Sequence, residues 1–369
     1  MATLRRPVRI ALTNATCWPE VRRGAERFIP ELGAALVRRG HEVVHFSAAW
    51  EPGESSEQGL QAIRMRRRFD RPYRHEADFA LRLLPRLARG SFDAVHSLGH
   101  FDALASILAA RLRRDGRRTV ITDLGLPDPD YWAGLGPLHA RVAAAVAAGI
   151  EVYSGMSQLA VDHLARNYGR HDGVVVPGGV ALARFSPAER RHERPAVLFS
   201  GVISERRKGV PVLLAALPLI AAAEPEVELW LSGPGDPGPW LAEAPEAALP
   251  HVHTLGLGDP DRQHERYGRA WVTCLPSMYD SFGMALVESL ACGTPIVAST
   301  HGAPQDLVDA GVTGELCTPE DPHSLAEACL RAFELARRPE TIAACRASAE
   351  RFDWDLGIAP LCERLYLGT

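Results

Sequence analysis

The sequence predicts an α/β protein with two doubly wound domains. Short runs rich in β-branched residues alternate with amphipathic helical stretches, the pattern of a parallel sheet covered by helices. A polar, proline-containing segment at 184–194 interrupts this series, and a second series begins at Ala196. The chain has 369 residues, more than one hydrophobic core usually serves. We therefore expect an N-terminal domain over 1–186 and a C-terminal domain over 187–357.

The first half begins with a βαβ unit. A strand is predicted at 8–13, an amphipathic helix at 24–39 and a second strand at 43–47. Further short apolar runs extend the series and predict strands at 94–97, 119–122, 152–154 and 174–176. In the second half the predicted strands are 196–200, 227–232, 252–255, 271–275 and 296–298. Ligands of such sheets bind beyond the carboxyl ends of the strands, where polar residues become site candidates.

The most informative segment runs from Pro276 to Ala298. Asp280 lies in a loop after the strand at 271–275, and Gly283 starts a short helix with an apolar face. The free N–H groups and dipole of a helix start favour an anion such as a phosphate. Glu288 stands roughly 7–8 Å farther along the helix axis. The two acids should contact different parts of one extended ligand, unless they are merely an N-cap aspartate and a solvated glutamate.

Lys208 is the only lysine among 41 basic residues. It precedes a glycine between a predicted strand and a helix, which places it at a second strand-to-helix crevice. A lysine kept in an arginine-biased chain indicates that a compact ammonium is needed there, the alternative being chance survival on a surface loop. The arginine bias itself suggests a GC-rich bacterial genome.

The pattern Asp280-x7-Glu288, followed by Leu-Ala-Cys-Gly-Thr-Pro, resembles the signature of the family 4 retaining glycosyltransferases, which have two glutamates at this spacing. The resemblance is specific from Val197 to about Leu330 and looser in the first half. It implies a GT-B fold, in which two Rossmann-like domains face a central cleft. The last helix, within 358–369, would then pack back on the first domain.

The resemblance also implies roles for the residues of this segment. Asp280 would lie beside the donor sugar, and Glu288 would accept hydrogen bonds from the ribose hydroxyls. The helix start formed by Phe282, Gly283 and Met284 would hold the diphosphate. No metal is expected at such a site.

After the strand that corresponds to 196–200, family members have an arginine next to a glycine and a lysine before the following glycine. These two cations clamp the donor diphosphate. Lys208 matches this lysine, but Val202 stands at the arginine position. Arg206 or Arg207 could supply the missing charge, and the sequence leaves both open. Gly233 follows another predicted strand, where it makes either an ordinary tight turn or a contact with the donor.

The first half would bind the acceptor. Gly24 matches the second glycine of the family's pair before the first helix, whereas Arg23 replaces the first. Asp123 stands where many relatives have a histidine near the reaction centre, so a carboxylate that could accept a proton or orient the acceptor replaces an imidazole. Asp128 lies in an acidic, aromatic loop that is either solvated or suited to a polyol or amine-bearing acceptor. Two histidines after another strand are further candidates, with structural roles as the alternative: His96 and His100.

Composition excludes several classes of protein. A chain with 46% hydrophobic and 23% charged residues and a net charge of −4 is an ordinary globular one. The longest apolar run, 210–223, contains two prolines and is too short to cross a bilayer, and without a leader we expect a cytoplasmic protein. Seven cysteines without a Cys-x-x-Cys pair predict neither disulfides nor a zinc site. The arginine clusters of the first half are interspersed with acids, and no nucleic-acid motif is present.

These features predict a retaining glycosyltransferase that moves a sugar from a nucleotide-diphosphate donor to a hydroxyl of a small polar metabolite, such as an aminocyclitol or a sugar. One alternative is an acceptor that is a cell-envelope glycan or lipid. Others are a phosphorylase or epimerase on the same fold, and a catalytically silent partner that only binds sugar nucleotides. The sequence names neither the donor base nor the oligomeric state.

Overall fold

The computed structural model describes residues 6–21, 24–124, 134 and 136–369, with side chains at all of these except 25, 72 and 73. The chain divides into two compact units. The first comprises Met1–Gly179 and Trp354–Thr369, and the second comprises Val180–Asp353. The chain passes from the first unit to the second between residues 179 and 180 and returns between 353 and 354. The sequence analysis expected these boundaries at 186/187 and 357/358.

The first unit is built on an eight-stranded sheet with the strand order β3-β4-β2-β1-β5-β6-β7-β8. All neighbouring strands are parallel except β3 and β4, which form an antiparallel hairpin at the edge. The strands are β1 (Arg9–Thr13), β2 (Glu42–Ala49), β3 (Gly53–Glu57), β4 (Leu60–Arg66), β5 (Ala94–Ser97), β6 (Arg118–Asp123), β7 (Val152–Gly155) and β8 (Val174–Val175). The helices are α1 (Gly24–Arg38), α2 (Pro72–Arg89), α3 (His100–Arg113), α4 (Gly136–Gly149), α5 (Gln158–Tyr168) and, at the end of the chain, α12 (Ala359–Leu367).

The second unit is built on a six-stranded parallel sheet with the order β11-β10-β9-β12-β13-β14. Its strands are β9 (Ala196–Ser200), β10 (Glu228–Ser232), β11 (Val252–Gly256), β12 (Val272–Leu275), β13 (Ile296–Ser299) and β14 (Gly314–Cys317). Its helices are α6 (Val210–Ala223), α7 (Gly238–Glu243), α8 (Gln263–Arg269), α9 (Met284–Ala291), α10 (Pro322–Ala336) and α11 (Pro339–Glu350). Short 3₁₀ turns occur at Arg206–Lys208, Glu246–His251, Pro260–Arg262 and Ala303–Leu307. No helix in the described ranges is both long and apolar enough to cross a membrane.

The predicted strands are all present, but three observed strands were missed. β3 consists of polar residues and glycine, and β4 carries two arginines, so neither shows a clear apolar alternation. Backbone pairing with β2 nevertheless holds β4 in the sheet. β14 is short and mixed in polarity. Pairing with neighbouring strands therefore outweighs weak local β-propensity, near one edge of the first sheet and at one edge of the second.

Trp354 explains why the end of the chain belongs to the first unit. Its side chain is buried, and its ring lies 5.3 Å from that of Phe28 in α1 in an edge-to-face arrangement. The indole Nε1 donates a hydrogen bond of 2.6 Å to Glu31 Oε2. The ring also fills the space that a side chain at Gly179 would need. A π-helical turn at Trp354–Ile358 then leads into α12.

His96 connects α12 to the sheet. Its ring is fully buried at the end of β5, with Nδ1 2.7 Å from the Tyr366 hydroxyl of α12 and Nε2 2.7 Å from Thr122 Oγ1 of β6. Burial lowers the pKa of His96 to about 3, so the ring is neutral at physiological pH. Both ring nitrogens are therefore bonded within the core, which is the structural role that the sequence analysis gave as the alternative for His96.

We expect His96→Ala to lower the free energy of unfolding by about 2–4 kcal/mol at pH 7, because it opens a cavity and leaves two buried hydroxyls without their partner. This difference from the wild type should shrink by about 2 kcal/mol between pH 7 and pH 5. The reason is that the unfolded His96 takes up a proton below about pH 6.5 while the folded one does not, so acid selectively destabilises the wild type.

Urea unfolding of both proteins at several pH values measures this. The control is His171→Ala, since His171 is exposed and its loss should change little at any pH. A pH-independent difference would contradict a buried neutral imidazole at position 96.

Candidate functional site

Two loops of the second unit meet because the strands before them are neighbours. β9 and β12 are adjacent and parallel, with Val197 opposite Val272. The loop after β9 ends in the turn Arg206–Lys208, and the loop after β12 leads to α9. Parallel strands end at the same edge of a sheet, and this edge is where ligands of such folds bind.

Lys208 and Asp280 form an ion pair between these loops. Lys208 Nζ donates to Asp280 Oδ2 over 2.5 Å, and the side chains are only 15% and 12% exposed. Among the described residues, Lys208 is the side-chain partner of Asp280. The structure thus brings together the two residues that the sequence analysis placed at the reacting end of the donor. Their direct contact was not predicted.

Arg207 fixes the turn against the loop. Its Nη1 donates to the carbonyl of Tyr279 over 2.8 Å, and its own carbonyl accepts from the N–H of Met278 over 2.8 Å. Its Nη2 lies 2.5 Å from Glu205 Oε2. These contacts hold the backbone next to Lys208 in register with the backbone next to Asp280.

Arg206 points to the surface instead. Its side chain is exposed, and its guanidinium lies 6.0 Å from the ring centre of Trp240. The sequence analysis left open which arginine supplies the charge missing at Val202. Arg207 contacts its own loop and Tyr279, whereas Arg206 lies over Trp240, and a donor contact of either arginine stays a prediction.

The start of α9 has the geometry of an anion site. Gly283 precedes the helix with a φ of 100°, a conformation that residues with a side chain rarely adopt. Glycine has no side chain that could cap the first N–H groups of the helix. These groups also lie at the positive end of the helix dipole. Phe282 is buried against Phe352 at 5.4 Å between ring centres, and Met284 is half-buried.

Glu288 occupies a different part of this region from Asp280. It lies in the second turn of α9 and its side chain is buried. Asp280 is engaged by Lys208 before the helix begins. The two acids are therefore held separately, as the spacing predicted, and the ribose contact of Glu288 stays a prediction.

Gly233 is required by packing after β10. Its φ is 136°, and a Cβ atom there would lie 1.9 Å from the carbonyl oxygen of Gly201 in the loop after β9. The same loops are tied by the N–H of Gly201, which donates to the carbonyl of Ser232 over 3.0 Å. Contact between the two loops accounts for this glycine, and a contact of Gly233 with the donor stays a prediction.

Asp123 and His100 meet at the carboxyl end of the first unit's sheet. Asp123 Oδ2 accepts from the Tyr153 hydroxyl over 3.1 Å and lies 3.4 Å from His100 Nε2, while His100 Nδ1 is 3.3 Å from His139 Nε2. Burial acts to lower the pKa of His100, but the charge of Asp123, with those of two further carboxylates, outweighs it and the pKa is raised. A protonated His100 beside Asp123 is the favoured state below that pKa.

Glu76 adds a second titrating group to this cluster. Burial raises the pKa of its carboxyl to about 7, although the charge of His100 opposes this. The sequence analysis missed Glu76, His139 and Tyr153, because they come from α2, α4 and β7 and are not close in sequence to Asp123. Of the other acceptor-side candidates, Gly24 begins α1 and is exposed, whereas Arg23 and Asp128 lie outside the described residues. No group of three or more His, Cys, Asp and Glu within the described ranges is arranged to hold a metal ion.

Comparisons with known proteins match both units. The family model described as Glycosyl transferases group 1 matches residues 194–334, and that of Glycosyltransferase Family 4 matches residues 22–184. The phosphatidyl-myo-inositol mannosyltransferase of Mycobacterium tuberculosis is 34% identical over 298 residues, which are 76% of this chain and 75% of the relative. The D-inositol 3-phosphate glycosyltransferase 1 of Catenulispora acidiphila is 30% identical over 306 residues, covering 75% and 72%.

Solved structures are similar over almost the whole chain. Sucrose-phosphate synthase of Thermosynechococcus elongatus has a TM-score of 0.84 at 24% identity and covers 98% of this chain and 99% of its own. Anabaena HepE, solved in complex with UDP-glucose, has a TM-score of 0.76 at 18% identity, with coverage of 97% and 99%. These likenesses confirm the predicted GT-B fold class.

We expect Gly233→Ala to be more damaging than Gly311→Ala, because both glycines have a positive φ but only Gly233 faces a backbone atom. A Cβ at Gly311, with a φ of 77°, would meet nothing within 4 Å. Gly311→Ala should lower the free energy of unfolding by about 1–2 kcal/mol through its backbone conformation alone. Gly233→Ala should lower it by several kcal/mol more, or abolish soluble expression. Equal losses in urea unfolding would show that the contact with Gly201 relaxes easily.

Proposed function

Since this chain belongs to the family 4, group 1 glycosyltransferases and is an enzyme that transfers sugars, we propose that it takes the sugar from a nucleoside-diphosphate donor and transfers it to a hydroxyl group with retention at the anomeric carbon. The observation that carries this proposal is the Lys208–Asp280 pair beside the open start of α9. A cation and a helix N-terminus are suited to a diphosphate, and the carboxylate between them is suited to sugar hydroxyls.

The diphosphate leaving group takes on negative charge as its bond to the sugar breaks. Lys208 and the N–H groups at the start of α9 would stabilise that charge, with Arg206 or Arg207 as a further positive group. Groups that are already in position stabilise the developing charge most strongly, because they need little reorganisation during the reaction. The site requires no metal in this proposal, since the protein's own positive groups neutralise the phosphates.

The chemistry is a single substitution at the anomeric carbon. The bond between this carbon and the diphosphate oxygen breaks, and a bond to the acceptor oxygen forms on the same face of the ring. The acceptor's proton passes to an oxygen of the departing diphosphate, so no covalent enzyme intermediate is needed. Asp280 orients the sugar during this step, and Glu288 holds the ribose.

We propose a hydroxyl of an inositol-type ring as the acceptor. Relatives at 34% and 30% identity are named for phosphatidyl-myo-inositol and for D-inositol 3-phosphate, and both names contain the same polyol ring. Asp123 and His100 supply a carboxylate and an imidazole for such a ring, and the hydroxyl of the fully buried Tyr153 holds both of them in place. A lipid-linked inositol is the second candidate, which the name of the mycobacterial mannosyltransferase favours.

Lys208→Ala should lower kcat/KM by about 10²–10³, because it removes a positive group that stabilises the departing diphosphate. Release of nucleoside diphosphate from UDP-glucose, GDP-mannose or ADP-glucose, with and without myo-inositol 1-phosphate, measures turnover. Arg331→Ala is the control, since Arg331 is half-exposed on α10 and its ion pair to Glu315 lies outside the site. Turnover of Lys208→Ala near that of the wild type would remove this assignment.

His100→Gln should raise the KM for the acceptor several-fold without changing the Kd of the donor, because Asp123 loses its cationic neighbour. In the wild type the His100–Asp123 pair is present below the raised pKa of His100 and is lost as pH rises through it. The acceptor KM should therefore rise with pH in the wild type but not in His100→Gln.

The same assay compares myo-inositol 1-phosphate in solution with phosphatidylinositol in vesicles, and so separates the two candidate acceptors. His171→Gln serves as the matched histidine control on an exposed position of the first unit. A change in donor Kd, or an unchanged acceptor KM in His100→Gln, would contradict the role of this cluster.

A further inference from the structure

We propose that Asp280 is a specificity residue that makes the site favour the sugar-charged donor over the bare nucleoside diphosphate, by competing with the diphosphate for Lys208. This inference rests on the proposed function and goes beyond it, since it concerns which form of the nucleotide the site retains. It follows from the 2.5 Å contact between Lys208 Nζ and Asp280 Oδ2 and from the burial of both side chains.

Lys208 and Asp280 neutralise each other's charge. Each side chain is at least 85% shielded from water, so neither can exchange its partner for solvent without loss. A diphosphate that draws Lys208 toward itself must weaken its contact with Asp280. Asp280 would then remain as a partly buried carboxylate near further negative charge, which is unfavourable unless a donor group reaches it.

The sugar supplies that donor group. Its hydroxyls can donate hydrogen bonds to a carboxylate, which removes the penalty of separating Asp280 from Lys208. A bare nucleoside diphosphate has no group beyond its terminal phosphate to do this. The pair therefore weakens the binding of the spent nucleotide more than that of the charged donor, and it favours release of the product after transfer.

Arg207 holds the backbone in place, so that the pair can form again after release. Its hydrogen bonds to the backbone at Tyr279 and Met278 keep the two loops together without involving either member of the pair. The ammonium and the carboxylate can thus separate and meet again while the backbone around them stays in place. An aspartate, shorter than a glutamate by one methylene, keeps this carboxylate close to its own loop.

The test compares Asp280→Asn with the wild type by calorimetric titration. The probes are UDP, GDP and ADP, each with its glucose or mannose conjugate. Asn keeps the size of the side chain and removes the charge, so the nucleoside diphosphate should bind about tenfold more tightly, the size of one contacting pair. The sugar nucleotide should bind no more tightly than to the wild type, so that the preference for it falls. Glu327→Gln, an equal change of charge at an exposed position on α10, should alter neither affinity.

Unchanged or weaker binding of the nucleoside diphosphate to Asp280→Asn would overturn the inference, because Lys208 would then serve both partners at once. If that variant does not fold, the affinities of the wild type provide the test. The sugar nucleotide must then bind more tightly than its own nucleoside diphosphate, and the reverse order would contradict the inference. Failure of the proposed function looks different. In that case no probe binds the wild type, or Lys208→Ala turns over normally, whatever Asp280→Asn does.

Discussion

The adjacency of β9 and β12 is the constraint on which the candidate donor site depends. The two strands are neighbours in the sheet although more than seventy residues separate their loops in sequence. Only this arrangement puts the single lysine of the chain against Asp280, and the backbone contacts of Arg207 keep it there. Neither loop would form this pair alone, because the lysine comes from one loop and the aspartate from the other.

Two kinds of buried polar contact occur in this chain. In the first unit His96 links β5, β6 and α12 through a neutral ring, which fixes the end of the chain to the sheet. In the second unit Lys208 and Asp280 are held as charges, and charges are more costly to shield from water than a neutral imidazole. Shielded charges at the carboxyl edge of a sheet are therefore candidates for contact with a ligand, whereas the neutral His96 bonds connect elements of the core.

Sequence reasoning located the donor segment because its signals are local. A strand, an acid, a glycine and a helix follow one another within 276–298, and periodicity identifies each of them. It could not choose between Arg206 and Arg207 as the further positive group. Nothing local in the sequence shows that the guanidinium of Arg207 reaches the carbonyl of Tyr279. It left His96 open between an acceptor contact and a structural role, because the hydroxyl that contacts the ring comes from α12, far along the chain.

The neutral residue at Val202 affects the role of Lys208. The resemblance implies an arginine where Val202 stands, so in the proposed site Lys208 carries more of the attraction for a diphosphate. The larger the share of this attraction that comes from one ammonium, the larger is the influence of the group that competes for it. Asp280 contacts this ammonium directly, and its own shielding means that it must be satisfied by the lysine or by the ligand. Loss of an arginine and retention of a competing carboxylate therefore act together to weaken the hold on a spent nucleotide.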